Sequence, residues 1–156
     1  MDLKHKPKDL LELNPYAKVP VLVDGAGVIY ESAIVNEYLD EKYPGMRLMP
    51  SNPLQRAKAR IWIDFFNSRI HPAAHDITHD KEPDLARERM NKHLKTLELE
   101  ISDKRFIVGD YSLADVTFIP FYVRRERYQV IIDSRFPNLK RWGEDLIRRP
   151  AVAKTL

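Results

Sequence analysis

The run Asn14-Pro15-Tyr16-Ala17-Lys18-Val19-Pro20-Val21-Leu22-Val23-Asp24, followed by Tyr30-Glu31-Ser32, gathers groups suited to holding a short peptide. Val19-Pro20 stands at the start of a β-rich stretch. An X-Pro bond is cis at a cost of only ~0.5–1 kcal/mol, and proline has no N–H to offer a neighbouring strand. A cis bend would turn the N–H and C=O of Val19 outward, where an extended peptide could pair with them as an added strand. Ser32 reads as the N-cap of a helix, whose first amides and dipole favour a carboxylate. Glu31 beside it could hold an amine, and Lys6 and Lys18 could reach a second carboxylate. A plainer reading fits the same residues: X-Pro is common where strands begin, Ser is an ordinary N-cap, and Glu31 suits a solvated loop.

Other constellations carry less. His71, His75 and His79 recur every four residues, which on a continuous helix would line up three imidazoles for a transition metal. Pro72 and the polar run from Thr78 to Lys81 argue against a continuous helix there, so a solvated helix end is expected and no metal. Arg56 and Arg60 alternate with Trp62, Phe65 and Phe66 on one helix, where the aromatics suit a core or an interface. Arg124-Arg125-Glu126-Arg127 reads as a solvated helix face.

These residues sit in a chain of 156, enough for one ordinary core or two small units. A hydrophobic share of 44% and a charged share of 31% are those of a globular protein rather than a disordered or membrane-embedded one. The net charge of +3 is well mixed along the chain, so no nucleic-acid partner is expected. No apolar run approaches the ~18 residues of a membrane span, and none follows the N-terminus as in a secretory leader. A cytoplasmic location is expected. Cysteine is absent, which excludes disulfides, thiolate metal sites and a cysteine nucleophile within these residues.

The elements that must position the motif come first. Lys8 to Leu13 reads as a short helical turn, Val19 to Val23 as a strand, and Asp24-Gly25-Ala26-Gly27 as a turn into a strand at Val28 to Tyr30. A helix follows with Ile34, Val35, Tyr38, Leu39 and Tyr43 on its apolar face. Residues 44–53 carry three prolines and read as a linker. Beyond it the pattern is helical throughout: Pro53 to about Ile70, Pro83 to about Ile101, Leu113 to about Tyr128 with a bend at Pro120, and Asn138 to Arg148. Pro150 opens a short tail. Ser112 and Asp115 have the spacing of a capping box, with Tyr111 and Val116 at the staple positions. The pattern predicts a small α/β domain over 1–44 and an all-helical domain over 53–156.

Asn14-Pro-Tyr-Ala-Lys-Val-Pro-Val-Leu, Tyr30-Glu-Ser-Ala-Ile and Tyr38-Leu-Asp-Glu-Lys-Tyr-Pro resemble the cytosolic glutathione transferase family. Gly109-Asp-Tyr-Ser-Leu-Ala-Asp115, Phe136-Pro-Asn-Leu with Trp142, and Arg149-Pro150 extend the likeness across practically the whole chain. The resemblance implies an incomplete thioredoxin-like domain followed by the family's all-helical C-terminal domain. It implies that Val19 pairs with the cysteinyl unit of glutathione ahead of a cis Pro20. It further implies that Glu31 and Ser32 bind the γ-glutamyl end, and that Lys6 contacts the glycyl end. Ser112 and Asp115 are structural caps in the family. Glutathione would be a co-substrate, with no further cofactor, the second partner a small electrophilic molecule, and the protein a homodimer.

In the family the catalytic Tyr, Ser or Cys follows the first strand of a β-α-β unit, whereas Asp2-Leu3-Lys4 here would correspond to the close of the second strand. The expectation is therefore a truncated member that keeps part of the glutathione site, has little transferase activity and lacks the thiol-activating residue. The alternative is a non-catalytic interaction module. The family includes such members, for example the stringent starvation protein that associates with RNA polymerase, and its motif region is similar to this one.

Overall fold

The computed structural model describes residues 8–43 and 45–156, in two compact units, Met1–Arg47 and Leu48–Leu156. The first unit is built on a hairpin. After α1 (Lys8–Leu13), strands β1 (Val21–Asp24) and β2 (Gly27–Tyr30) pair antiparallel, with Val21 opposite Tyr30 and Asp24 opposite Gly27. A two-residue turn joins them, and its first residue, Gly25, has a φ of 59° that glycine adopts without a Cβ penalty. Helix α2 (Ser32–Lys42) packs back against the hairpin through Val35, the buried residue of its face. Ile34 and Tyr43, expected on the same face, remain exposed.

One side-chain cluster ties α2 to the hairpin. Tyr38 and Lys42, one turn apart on α2, both donate hydrogen bonds to the carboxylate of Asp24 at the end of β1. The Lys42 contact, and after it the Tyr38 contact, hold the Asp24 carboxyl below its usual range. The same carboxylate raises the Tyr38 phenol and the Lys42 amine.

The second unit is helical. Asn52 caps α3 (Pro53–Phe65), accepting from the amides of Leu54 at 2.9 Å and Gln55 at 3.2 Å, with Pro53 in the first turn where its missing N–H costs nothing. Arg56 reaches back to the carbonyls of Pro50 and Ser51. The helix does not stop near Ile70. It passes through a π turn (Phe66–Ile70) directly into α4 (His71–Thr78). The His71 amide reaches back to Phe66 O across that wider turn, so the rod continues where Pro72 was expected to interrupt it.

The remaining elements are α5 (Pro83–Glu100), α6 (Leu113–Val123), α7 (Pro137–Ile147) and α8 (Pro150–Ala153). Helix α6 carries Pro120 and ends at Val123, short of the expected Tyr128, because Arg125–Tyr128 tightens into a 3₁₀ turn closed by Gln129 at φ 55°. Two isolated bridges, Phe106 with Gly109 and Val108 with Asp110, form a small β loop ahead of α6 that hydrophobic alternation does not reveal.

The core of this unit lies between α3, the π turn, α5, α6 and α7. Phe66 meets Phe118 edge-on at 4.9 Å, and Phe118 meets Trp142 at 5.8 Å, within the range of favourable aromatic pairs. Gly143 lets α7 lie against Tyr122: a Cβ there would fall 1.9 Å from the tyrosine ring. Helix α7 has no cap of its own at Phe136. Instead the Glu98 carboxylate of α5 accepts from the amides of Asn138 at 3.0 Å and Leu139 at 2.8 Å, and from Asn138 Nδ2 at 2.7 Å.

Candidate functional site

The loop between α1 and β1 and the turn into α2 carry the residues singled out in the sequence. The Val19–Pro20 peptide is cis, and Val19 is 52% exposed. Among the described residues nothing hydrogen-bonds to the backbone of Val19, so its N–H and C=O are open to an extended ligand.

Glu31 and Ser32 lie at the start of α2, both exposed. Ser32 is not the N-cap. That position belongs to Glu31, whose carbonyl accepts from the Val35 amide at 2.9 Å, and Ser32 falls in the first helical turn. The reason is the backbone of Glu31, at φ 70° and ψ 113°, which already turns the chain into the helix. A non-glycine residue held at such dihedrals costs roughly 1–3 kcal/mol, and strain of this kind concentrates at ligand-binding positions. Glu31 makes no side-chain cap bond. Among the described residues neither its carboxylate nor the Ser32 hydroxyl has a protein partner. The first amides of an 11-residue helix therefore lack a side-chain acceptor and offer a carboxylate hydrogen bonds and the positive end of the dipole. Lys18 is exposed, and Lys6 lies outside the described residues.

Asn14 has a part that reading by motif did not reveal. It is only 1% exposed in an otherwise exposed loop. Its Nδ2 donates to Lys18 O at 2.8 Å and its Oδ1 accepts from Tyr16 N at 3.0 Å. Tyr16 in turn meets Tyr30 of β2 edge-on at 5.9 Å. The sequence signal was the Asn-Pro pair, which marks a turn but not a buried side chain inside it.

In the helical unit Ser112 and Asp115 form the capping box, with Asp115 fully buried. The Ser112 hydroxyl accepts from Ala114 N at 3.2 Å, and Asp115 accepts from Ser112 N at 2.9 Å. Asp115 also accepts from Ile107 N at 3.0 Å and from Trp142 Nε1 at 2.8 Å, partners not visible in the motif. Burial pushes this carboxyl up, while the bonds from Trp142, Ile107 and Ser112 pull it down.

His71, His75 and His79 follow one another along the rod rather than meeting at one point. His75 and His79 stack at 4.0 Å, and Asp76 is held by Arg89 at 2.8 Å. Among the described residues no three His, Cys, Asp or Glu side chains converge on one point. The aromatics of α3 and the π turn pack on one another and on α5 and α6, with Trp62 to Phe65 at 4.9 Å and Phe65 to His93 at 5.6 Å. Arg124 and Arg125 turn back to the carbonyls of Pro120 and Tyr122. No helix among the described residues is long and apolar enough to cross a membrane.

Comparison with known proteins places the chain in a family. Residues 1–42 match the family model for the glutathione S-transferase N-terminal domain, and residues 63–150 that for the C-terminal domain. Glutathione S-transferase U25 of Arabidopsis thaliana is 37% identical over 164 residues, covering 99% of this chain and 74% of the relative. Glutathione transferase F7 from Populus trichocarpa superposes with a TM-score of 0.83 at 26% identity, over 97% of this chain and 80% of that one. Ure2p, solved in complex with glutathione, shares the fold at a TM-score of 0.89 and 23% identity, over 98% and 81% of the two chains. The hairpin and α2 thus belong to a thioredoxin-like domain, and the helices beyond it to an all-helical one. With both domain models matched and relatives aligned over nearly its full length, this chain belongs to the glutathione S-transferase family.

Proposed function

We propose that the chain binds glutathione on its first domain, residues 1–44, which is followed by a helical domain over 53–156. The observation that carries this reading is the start of α2, where a strained Glu31 and an unpartnered Ser32 leave the helix amides without a side-chain acceptor. The α-carboxylate of the γ-glutamyl unit takes those amides and the Ser32 hydroxyl, and the Glu31 carboxylate takes its ammonium. The exposed backbone of Val19 pairs with the cysteinyl unit, and Lys6 serves the glycyl carboxylate. Ure2p, of the same fold, is known in complex with glutathione, which supports the reading.

The reaction is conjugation of glutathione, through its sulfur, to a small electrophile. The thiolate is the nucleophile; it forms a C–S bond as the leaving group departs with its electron pair. None of the described residues is assigned to activating the thiol. We place the protein in the cytoplasm, as a homodimer.

Immobilised glutathione tests the proposal. The wild-type chain should be retained and eluted by free glutathione, and calorimetry should show Ser32→Ala and Glu31→Gln binding more weakly, each by about tenfold. Passage of the folded wild-type chain straight through the column would overturn the reading and favour a non-catalytic interaction module.

A further inference from the structure

The backbone of Val19 can pair with a peptide only if its N–H points in a fixed direction, and the loop around it has little packing to ensure this. Pro15, Tyr16, Lys18, Val19 and Pro20 are all exposed. Asn14 is the exception, buried, with its side chain committed to the loop that follows it. Its main chain is anchored at both ends, with Asn14 N donating to Leu10 O of α1 at 2.9 Å and Asn14 O accepting from Ala17 N at 2.8 Å. Its side chain bridges the turn, from Tyr16 N on one side to Lys18 O on the other. Ala17, inside that bridge, is held at φ 51°, a conformation that non-glycine residues rarely adopt.

The contact with Lys18 O is the informative one. That carbonyl and the Val19 N–H belong to the same planar peptide unit. Fixing the carbonyl therefore fixes the direction of the N–H. The arrangement also admits only one orientation of the amide, since the oxygen must face Tyr16 N–H and the nitrogen Lys18 C=O. Aspartate in the same place would set an oxygen against the Lys18 carbonyl.

We infer that Asn14 is the positioning residue of the glutathione site, setting the plane of the Lys18–Val19 peptide on which the cysteinyl unit docks. The inference rests on the glutathione reading given above. Asn14 touches no ligand itself; it acts through Val19.

The test compares glutathione affinity by calorimetry in the wild type, Asn14→Asp, Asn14→Ala and Val35→Ala. Asn14→Asp keeps the volume and the acceptor for Tyr16 N–H, and replaces the donor to Lys18 O with a carboxylate oxygen that repels it, whereas Asn14→Ala removes the donor without adding a charge. Val35→Ala removes buried packing from α2 and none of the Asn14 hydrogen bonds, and so controls for loss of stability. At a temperature where all four are folded by circular dichroism, both Asn14 variants should bind about tenfold more weakly or worse, a loss of ~1.4 kcal/mol. Val35→Ala should bind as the wild type does. The Val19 amide resonance should shift in both Asn14 variants and stay in place in Val35→Ala. Should Asn14→Ala not fold, Asn14→Asp carries the comparison. If the wild type binds and Asn14→Asp binds equally, or loses no more than Val35→Ala, the inference is overturned while the functional reading stands. A wild type that binds no glutathione overturns both.

Discussion

Replacing Asp115 should cost the helical domain more than an exposed helix cap would. In Asp115→Ala, the Trp142 Nε1–H, Ile107 N–H and Ser112 N–H all lose their acceptor in a region closed to water. Each buried donor left unpaired costs about 1–3 kcal/mol. Removing the carboxylate also removes a charge that burial disfavours, which offsets part of the sum. A net loss of about 4 kcal/mol results, a large fraction of the ~5–15 kcal/mol that holds a typical domain. Both tryptophans, Trp62 and Trp142, lie in the unit Leu48–Leu156, so their fluorescence in a urea titration follows that unit. With a slope of roughly 2 kcal/mol per molar urea, the midpoint should fall by about 2 M. Asp115→Asn keeps one acceptor but turns an amide N–H toward the remaining donors, and should lose about half as much. A double-mutant cycle with Trp142→Phe should return a coupling of about 1–2 kcal/mol. A loss below about 1 kcal/mol in Asp115→Ala, at unchanged slope, would refute the reasoning.

Three further outcomes follow from the packing and the charges. Gly143→Ala drives a methyl into the Tyr122 ring and should lower the stability read by the same urea titration by about 1–3 kcal/mol, with Tyr122→Ala relieving part of the clash in the double variant. Glu98→Ala should cost about 1–2 kcal/mol by uncapping α7, and Glu98→Gln about half of that, both read by thermal melting. The Asp24–Tyr38–Lys42 cluster should stabilise the hairpin over a window from about pH 4 to about pH 10. Its depressed carboxyl contributes above the ordinary aspartate value, and the contribution is lost as pH falls through the depressed one. Its raised phenol and amine contribute below their ordinary values, and that contribution is lost as pH rises through the raised ones. Amide hydrogen exchange in β1 and β2 should show both limits, and Asp24→Asn should remove the acid one.

What could be read from the sequence was what has its cause within a few residues. Pro53 announced the start of α3 and Ser112 with Asp115 that of α6, because the cues lie within three positions, while the Asn52 cap, inside the expected linker, was not read. Gly25 announced the hairpin turn for the same reason. What stayed hidden depends on partners distant in sequence. Nothing local says that Trp142 donates to Asp115, or that Tyr38 and Lys42 converge on Asp24. The π turn was hidden because Pro72 suggests a break, whereas the rod continues through the bond from the His71 amide to Phe66 O. In the candidate site the residue types at Val19, Pro20, Glu31 and Ser32 were legible. The dihedrals of Glu31 were not, since no rule for glutamate anticipates a positive φ, and the assignment of Ser32 as the cap failed on that point.

The cap that Glu98 lends to α7 also sets an order of events. Helix α6 closes its first turn with Ser112 and Asp115, groups within its own chain segment, so this turn can form as soon as the segment is made. Helix α7 has no such local help, and the acceptor for its first amides lies 40 residues earlier, on α5. Its first turn becomes favourable only after the intervening loop has closed, an entropy cost met before the contact returns anything. Helix α7 therefore joins late, and truncating Glu98 speeds unfolding while leaving the folding rate almost untouched.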